Sequence, residues 1–255
     1  MVLTGTDLYR DIQGDAMAQR SLELAHALVV LQDQAMHSLP PSIRDKARVI
    51  HPSTTSRRTL AKTRRHLRVV MVGHLRSEKS PQTLFECARE LLADTDILID
   101  HVGGALEAGL AEEARATMRD CPNYRWLGAL PHEDVRRRIQ RSHVLVHPSR
   151  MEGAAHVIIE ALCCGTPVLA SRVAGNVGML GEDYRGYFAL GDSRGLAHWL
   201  RLCRDDLHSN TPVPGLLQTL ARQCEARAPL FHPGLERQAL QHLCSSLIGP
   251  TARGC

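Results

Sequence analysis

Residues 152–171 read EGAAHVIIEALCCGTPVLAS, a small-residue turn followed by an amphipathic segment, a second turn and an apolar run. The segment Ala154–Cys164 has the spacing of a half-buried helix, and Pro167–Ala170 is typical of a short buried strand. A helix that leads directly into such a strand is the repeating unit of a parallel sheet. This stretch therefore predicts an α/β fold.

The same alternation extends outward on the N-terminal side of this stretch. Four more apolar runs rich in valine, isoleucine and leucine predict buried strands, at Ala27–Leu31, Arg68–Val72, Ile97–Val102 and His143–Val146. Amphipathic segments between them predict helices, over Pro81–Leu92, Leu106–Arg119 and His132–Arg141. Strands and helices that alternate in this way predict a doubly wound parallel sheet.

The chain divides at a polar, basic segment. Residues 52–66, PSTTSRRTLAKTRRH, have no apolar periodicity and predict a linker. Before it lie two or three strands, too few for an independent doubly wound domain, and after it lie at least four strand and helix pairs. We predict an incomplete N-terminal domain over residues 1–58, a complete domain over 59–230, and a helix within 231–255 that packs back on the first domain.

Composition and charge exclude several classes of protein. Hydrophobic residues make up 44% and charged residues 23%, which is typical of a soluble globular chain. A net charge of +4 is too small and too dispersed to indicate nucleic-acid binding, but it suits an anionic small substrate. No apolar run approaches the length of a membrane span, and no secretory signal is visible. Because the eight cysteines form no CxxC pair, we expect reduced thiols and a cytoplasmic location.

Two carboxylates stand eight positions apart around the small-residue turn. Glu152 precedes the turn and Glu160 lies in the helix, a separation of roughly 12 Å if the whole segment is helical. The residues Gly153, Ala154 and Ala155 are small, so their backbone N–H groups can approach an anion at the start of the helix. Such a turn suits a diphosphate, and a carboxylate at each end can accept hydrogen bonds from sugar hydroxyls. The alternative is a helix cap at Glu152 and a solvated side chain at Glu160.

The string around these glutamates resembles the retaining glycosyltransferases of the glycosyltransferase-B fold. Their signature is two glutamates separated by seven residues, followed by Gly-Thr-Pro and a strand. The resemblance implies two doubly wound parallel-sheet domains, of which residues 59–230 bind a nucleotide sugar. It also implies that Glu152 contacts the donor sugar and that Glu160 contacts the ribose hydroxyls.

A second motif, VVMVGHLRSEKSP, begins at Val69 and places a basic loop at the carboxyl end of a strand, where parallel sheets bind ligands. The family usually has Gly-Arg-Leu followed by Glu-Lys in this loop, and its arginine and lysine hold the donor diphosphate. Lys79 matches the lysine, His74 stands where the arginine is usual, and Arg76 lies two residues later. The resemblance implies that these three residues hold the phosphates. The alternative is a solvated basic loop.

Two further patterns concern the nucleotide base and metal binding. The string YRWLG, from Tyr124, matches the family's strand and turn against the base, which implies backbone contacts from Leu127 and Gly128. Trp126 alone is equally typical of a core strand. His143 and His147 lie on one face of a predicted strand, but no third ligand accompanies them. We therefore predict neither a metal site nor a cofactor other than the nucleotide-sugar donor.

Several strings match a narrower group within the family. They are TGTDLYRDI from Thr4, VGHLRSEKSP from Val72, HVGGAL from His101, YRWLG from Tyr124 and GNVGMLGEDYRGYF from Gly175. In order and spacing they resemble the selenosugar synthases of selenoneine biosynthesis, which join selenophosphate to the sugar of a UDP-sugar, typically UDP-N-acetylglucosamine. The resemblance implies UDP-sugar and selenophosphate as small-molecule substrates.

A selenophosphate acceptor changes what the site must supply. Its selenium is already anionic and polarizable, so no general base is needed, but positive charge must hold a second anion beside the donor. Arg10, Arg150 and His156 are candidates for this charge, and the alternative is that they are surface residues. We predict Glu152, His156 and Arg10 as the catalytic residues.

One departure from that group leaves other functions open. Its members carry a further N-terminal stretch, with the first strand and a glycine-rich loop, before the point that matches Val2. We therefore expect the chain as given to turn over poorly and to expose an apolar strand edge. The alternatives are a UDP-sugar-dependent glycosyltransferase with a hydroxyl acceptor and a non-catalytic fragment that binds UDP-sugar.

Overall fold

A computed structural model describes residues 1–209 and 213–248 of the chain and contains two parallel sheets. The first sheet has three strands in the order in which they occur along the chain, β1 (Val2–Leu3), β2 (Leu28–Val30) and β3 (Ala47–Val49). Three short helices accompany them, α1 (Ile12–Gly14), α2 (Ala16–Leu24) and α3 (Ala35–Ser38). These elements enclose a separate apolar core, which includes Leu3, Leu8, Leu22, Leu28 and Val30.

Local chemistry fixes the start of the longest helix in this part. The Asp15 side chain accepts hydrogen bonds from the backbone N–H groups of Met17 and Ala18. Those two groups have no partner within the helix, so this N-cap starts α2. A π-helical turn over Asp7–Asp11 precedes α1 and brings Leu8 into the core. The loop between β1 and this turn consequently has a fixed position beside the larger sheet.

The second sheet has six parallel strands, β4 (Leu67–Val72), β5 (Ile97–Val102), β6 (Tyr124–Trp126), β7 (Val144–His147), β8 (Val168–Ser171) and β9 (Tyr187–Phe188). Their order across the sheet is β6-β5-β4-β7-β8-β9. The chain therefore winds outward in one direction from β4 and in the other from β7. In doubly wound sheets, ligands bind at the carboxyl ends of the two strands where this direction reverses.

The connections between these strands are helices that cover the sheet. They are α4 (Pro81–Glu90), α5 (Ala108–Asp120), α6 (His132–Arg141), α7 (His156–Leu162) and α8 (Ala174–Leu180). Three more helices follow the sheet, α9 (Ser193–His208), α10 (Leu216–Arg227) and α11 (Pro233–Ile248). Because helices cover both faces, every residue of β7 and of β8 is buried.

The predicted α/β fold with parallel sheets is confirmed. Strand Ile97–Val102 and helix His132–Arg141 have the predicted bounds. The helix predicted over Ala154–Cys164 is shorter, because it begins only at His156 and ends at Leu162. Glu152 therefore lies in the preceding loop, and only Glu160 is helical. The strand β9 was not predicted, since two residues are too few to show a periodic pattern.

The segment 52–66 contains neither helix nor strand, as a linker should, but it is bound to the second sheet's helices. Arg136 on α6 donates a hydrogen bond to the Thr55 carbonyl at 2.6 Å, and the Arg57 N–H donates to the Cys163 carbonyl at 2.9 Å. At its start, the Ser53 hydroxyl donates to Glu236 on α11 at 2.5 Å. Residues 52–66 are consequently an ordered connection that is held by hydrogen bonds to neighbouring helices.

Helix α11 lies beside the edge of the first sheet. Together with residues 48–50 it lines a cavity of about 230 Å³. No side chain of α11 is buried, and Leu235 and Leu247 are about half exposed. The division into residues 1–58, 59–230 and 231–255 stays a prediction, and residues 249–255 of its last part lie outside the described residues.

Candidate functional site

The two motifs singled out in the sequence meet at the reversal point of the second sheet. The loop after β4 carries Lys79, and the loop after β7 carries Glu152. Lys79 Nζ lies 2.5 Å from Glu152 Oε1, although the residues are 73 positions apart in the sequence. Parallel strands end at the same edge of a sheet, so the fold brings the two loops together. This ion pair marks the centre of the candidate site.

A buried histidine contacts the same carboxylate oxygen. His147, the last residue of β7, lies with Nε2 at 3.0 Å from Glu152 Oε1 and 3.1 Å from Ser149 Oγ. The His147 side chain is only 1% exposed and that of Glu152 is 9% exposed. Burial alone raises the pKa of Glu152, but His147 and Lys79 outweigh it and hold this pKa below the usual value. Glu152 is therefore an anion at neutral pH.

The geometry leaves half of this carboxylate available. Both Lys79 and His147 contact Oε1, and within the described residues no protein donor reaches Oε2. A hydrogen bond to a charged group is worth about 1.5–3 kcal/mol. Oε2 can consequently accept a hydrogen bond from a ligand hydroxyl.

Glu160 forms a second, separate cluster. Its Oε1 lies 2.5 Å from His132 Nε2, 3.5 Å from His156 Nδ1 and 3.9 Å from Arg136 Nε. Burial raises the pKa of Glu160, but the hydrogen bonds from His156 and His132 outweigh it and lower the pKa overall. In return, the hydrogen bond to Glu160 raises the pKa of His156. Glu160 is thus an ionised acceptor in a buried position on α7.

Lys79, Arg76 and His74 have different surroundings within the basic loop. Of the three, only Lys79 contacts one of the two motif glutamates, Glu152. Arg76 is 44% exposed in its side chain and lines the cavity between the two sheets. His74 Nδ1 accepts a hydrogen bond from the Gly104 N–H at 3.0 Å, so it ties this loop to the loop after β5. The structure therefore brings Lys79 and Arg76 to the site and gives His74 a partner of its own.

The first sheet contributes one wall of the site through backbone contact. An added Cβ at Gly5 would lie 2.5 Å from the Gly153 nitrogen, and one at Gly153 would lie 2.4 Å from the Gly5 nitrogen. Only residues without a side chain permit this approach. A cavity of about 230 Å³ lies beside the contact, between Thr4 and Thr6 on one side and Arg76 and Ala154 on the other.

The charged candidates for the acceptor side are not among the residues that line this cavity. Arg10 is exposed, lies 2.9 Å from Asp11 and 3.8 Å from Glu78, and is not among the residues that line the cavity. The Arg150 N–H donates to the Glu78 carbonyl at 2.9 Å, and its side chain is exposed. His156 lies at Glu160 rather than at Glu152.

The strand and turn predicted to face a nucleotide base lie at the same edge of the sheet. The Leu127 N–H donates to the His101 carbonyl at 2.9 Å, and the Gly128 carbonyl accepts from the Gly103 N–H at 2.8 Å. Gly128 has a φ of 69°, which favours glycine. The Trp126 indole donates to the Gly103 carbonyl at 2.8 Å and is therefore part of the turn's support.

From the sequence, neither His132 nor His147 was predicted to contact a glutamate of the site. His132 and His147 reach Glu160 and Glu152 only through the fold, and His147 was considered solely as a metal ligand. Its position at the carboxyl end of a predicted strand was the one available signal. Among residues 1–209 and 213–248, no group of three histidine, cysteine or acidic side chains is placed to hold a metal ion.

A comparison with protein families identifies the chain. The family model for glycosyl transferases group 1 matches residues 52–194, which include the Lys79 loop and both glutamates. The chain belongs to the glycosyl transferases group 1 family. Within the described residues of this group 1 chain, no helix combines the length and apolar character needed to cross a bilayer.

Curated relatives of this group 1 chain carry related names. It is 33% identical over 132 residues to the D-inositol 3-phosphate glycosyltransferase of Geodermatophilus obscurus, covering 48% of the chain and 29% of that protein. It is 26% identical over 228 residues to the Salinispora arenicola enzyme of the same name, covering 86% of the chain and 49% of that protein. The chain thus spans half or less of the length of these relatives.

Solved structures share the fold. Anabaena Alr3699/HepE in complex with UDP superposes on the group 1 chain with a TM-score of 0.77 at 17% identity, covering 95% of this chain and 71% of that one. Sucrose-phosphate synthase from Thermosynechococcus elongatus gives a TM-score of 0.75 at 22% identity, covering 94% and 63%. At these identities the likeness concerns the fold.

Proposed function

We propose that the chain binds a UDP-sugar at the reversal point of the second sheet and transfers its sugar to selenophosphate. The observation that carries the donor half of this proposal is the position of Lys79 beside Glu152, with Glu160 on the helix that follows. Lys79 then supplies a cation for the diphosphate, and Glu152 and Glu160, in two clusters, supply ionised carboxylates for sugar hydroxyls. The names of the relatives, which describe glycosyltransferases, and the UDP bound to HepE support this half.

Each group in the crevice has a definite task in this proposal. Glu160 accepts hydrogen bonds from the ribose hydroxyls, and the free Oε2 of Glu152 accepts one from a hydroxyl of the donor sugar. Lys79 and Arg76 compensate the negative charge of the diphosphate, which increases as UDP departs. The backbone at Leu127 and Gly128 faces the uracil. Because interactions that strengthen as charge develops lower the barrier, Lys79 and Arg76 contribute most to the rate.

The acceptor half of the proposal rests on charge and on the closer resemblance of the sequence. The selenium of selenophosphate attacks the anomeric carbon, a selenium–carbon bond forms, the carbon–oxygen bond to the diphosphate breaks, and UDP leaves with the electron pair. No proton must be removed from the nucleophile. The cavity between Thr4 and Arg76 can take the phosphate group of this acceptor, and Arg10 and Arg150 contact Glu78, which lines it. His156 lies on the donor side, at Glu160.

The donor half is tested by calorimetry of UDP binding. We expect Glu160→Ala to weaken UDP binding by about 1–3 kcal/mol, because a ligand hydroxyl loses a charged acceptor. Glu112→Ala, at an exposed position on α5, is the matched control and should bind UDP as the wild type does. Equal UDP affinity in the Glu160→Ala variant and the wild type would remove Glu160 from the donor site.

The acceptor half is tested by mass spectrometry of the products. Incubation of the protein with UDP-N-acetylglucosamine and selenophosphate should yield a selenium-linked sugar phosphate and UDP. In addition, Arg10→Ala should raise the apparent KM for selenophosphate much more than that for the UDP-sugar. Transfer to a neutral hydroxyl acceptor with none to selenophosphate would favour an ordinary glycosyltransferase. UDP binding without any product would favour a donor-binding module.

A further inference from the structure

We propose that a pocket between α6 and the amino end of β4 binds a phosphate group. It has a volume of about 310 Å³ and lies against α6, where four arginines line it together with two aspartates. The arginines are Arg68 on β4 and, on α6, Arg137, Arg138 and Arg141. Arg68 lies near the amino end of β4, about 17 Å along the strand from the donor crevice at its carboxyl end, whereas Leu130 and Asp134 lie nearer that crevice. The pocket shares no lining residue with the proposed donor site and is therefore treated as a second site.

The pocket has unbalanced positive charge. Asp100 is shared between Arg138 at 2.5 Å and Arg125 at 2.7 Å, and Arg137 lies 3.3 Å from Glu133. By contrast, no carboxylate of the described residues lies within ion-pair distance of Arg68 or Arg141. With four guanidinium groups against the carboxylates of Asp100 and Asp134, the lining carries a net charge of about +2 at neutral pH.

Helix chemistry accounts for only part of this arrangement. Basic side chains in the last turn of a helix interact favourably with its dipole, which gives Arg138 and Arg141 a structural reason to be there. It gives none for Arg68, which comes from a strand. Moreover, Arg137 and Arg141 are four residues apart on one helix, a like-charge spacing that destabilises the helix. The convergence of arginines from two elements is thus better explained by an anionic ligand.

The chemistry of the lining selects the class of ligand. Guanidinium groups bind phosphate through two parallel N–H bonds, a geometry that lysine does not provide, and every cation of the pocket is an arginine. Asp100 accepts a hydrogen bond from Arg138, so the guanidinium group of Arg138 is held in place before a ligand arrives. The volume suits a small molecule that bears one or two phosphate groups. The same chemistry would recognise a phospholipid headgroup.

Pyrophosphate is a suitable probe, and the donor crevice must be weakened first because it also carries cations. We would titrate pyrophosphate by calorimetry into the full chain with Lys79→Gln, and into the same variant with Arg68→Gln and Arg141→Gln added. Affinity should fall at least tenfold on adding the two arginine replacements. Arg20→Gln, at an exposed position on α2, should leave it unchanged. Thermal unfolding of each variant verifies that it is folded.

Cosedimentation with phosphatidylcholine vesicles, with and without phosphatidylglycerol, distinguishes the source of the phosphate. Binding of pyrophosphate that depends on Arg68 and Arg141 assigns the pocket to a soluble ligand. Vesicle binding that depends on phosphatidylglycerol and on both arginines, without pyrophosphate binding, assigns it to a headgroup. If neither probe responds to the two arginines, or if Lys79→Gln alone abolishes pyrophosphate binding and vesicles do not bind, the pocket is not a phosphate site.

Discussion

Lys79 Nζ donates to the oxygen of Glu152 that also contacts His147, so one carboxylate oxygen carries both protein contacts. The two donors come from opposite sides of the point where the winding direction of the sheet reverses. They fix the side chain of Glu152 without using its second oxygen. A site of this kind is ordered before a ligand arrives, which lowers the entropic cost of binding.

Replacing Lys79 tests the role of the cation in this pair. We expect Lys79→Gln to weaken UDP binding by about 1–3 kcal/mol, because a charged hydrogen bond to the diphosphate is lost. Lys46→Gln, just before β3 in the first sheet, makes the same chemical change away from the crevice and should leave UDP affinity unchanged. Calorimetry measures both. An unaltered affinity in Lys79→Gln would contradict the assignment of the basic loop to the phosphates.

Replacing His147 tests whether this residue positions Glu152. His147→Phe keeps the volume of the buried ring and removes the hydrogen bond, so we expect kcat to fall more than tenfold while UDP affinity changes little. The reason is that, in the proposed donor site, Glu152 faces the sugar and not the ribose or base. His143→Phe is the control, because His143 lies just before the same strand and contacts the Thr63 carbonyl and the Arg68 N–H. His143→Phe should alter the free energy of unfolding, but it should not lower kcat relative to UDP affinity.

The outcome that contradicts this role is equally specific. If His147→Phe and His143→Phe reduce kcat and stability in parallel, His147 is only a core residue. The proposed donor site would still stand, since Lys79 and Glu160 test it separately.

The backbone contact between the two sheets can be tested with one methyl group. In Gly5→Ala the new Cβ would meet the backbone of Gly153 and Glu152, which cannot move without shifting the site. We expect a loss of about 1–3 kcal/mol in the free energy of unfolding and weaker UDP-sugar binding. Gly14→Ala is the matched control, because no atom lies within 4 Å of its added Cβ. Similar unfolding midpoints for the two variants would show that the loops are not in contact.

Acid should destabilise the protein through a buried histidine beneath the basic loop. His101 Nε2 lies 3.0 Å from the Gly73 carbonyl and Nδ1 lies 2.9 Å from the Tyr124 hydroxyl. Burial lowers the pKa of His101 to about 4. Below a pH of about 6.5, His101 is therefore protonated in the unfolded chain but stays neutral in the folded chain. The free energy of unfolding consequently falls as the pH decreases from about 6.5 towards 4.

The size of this effect follows from the pKa difference. Between pH 7 and pH 5 we expect His101 to account for a loss of about 2 kcal/mol in the free energy of unfolding. Urea unfolding at the two pH values measures it in the wild type and in His101→Gln, which retains a donor and an acceptor. The variant should lose less stability between pH 7 and pH 5 than the wild type. An identical loss in both would assign the acid sensitivity to other groups.

Periodicity in the sequence predicted most of the fold. Buried parallel strands are continuous apolar runs and helices repeat every 3.6 residues, so segments such as Ile97–Val102 and His132–Arg141 are legible without a structure. The ends of these segments are harder to predict, because they depend on contacts with other parts of the fold. The helix with Glu160 begins at His156 and not at Ala154, since the preceding residues are held against Gly5 from another sheet.

The candidate site divides in the same way. The sequence by itself determined which residue types to expect in the proposed donor site, because the spacing of Glu152 and Glu160 suits a diphosphate sugar and Lys79 matches the basic loop that the family resemblance implies. Only the tertiary structure decided their partners. The order of strands across the sheet decides which oxygen of Glu152 is occupied. It also brings His132 to Glu160 and places Arg68 beside α6. Strand order brings residues that are tens of positions apart into contact, and no local pattern encodes such distances.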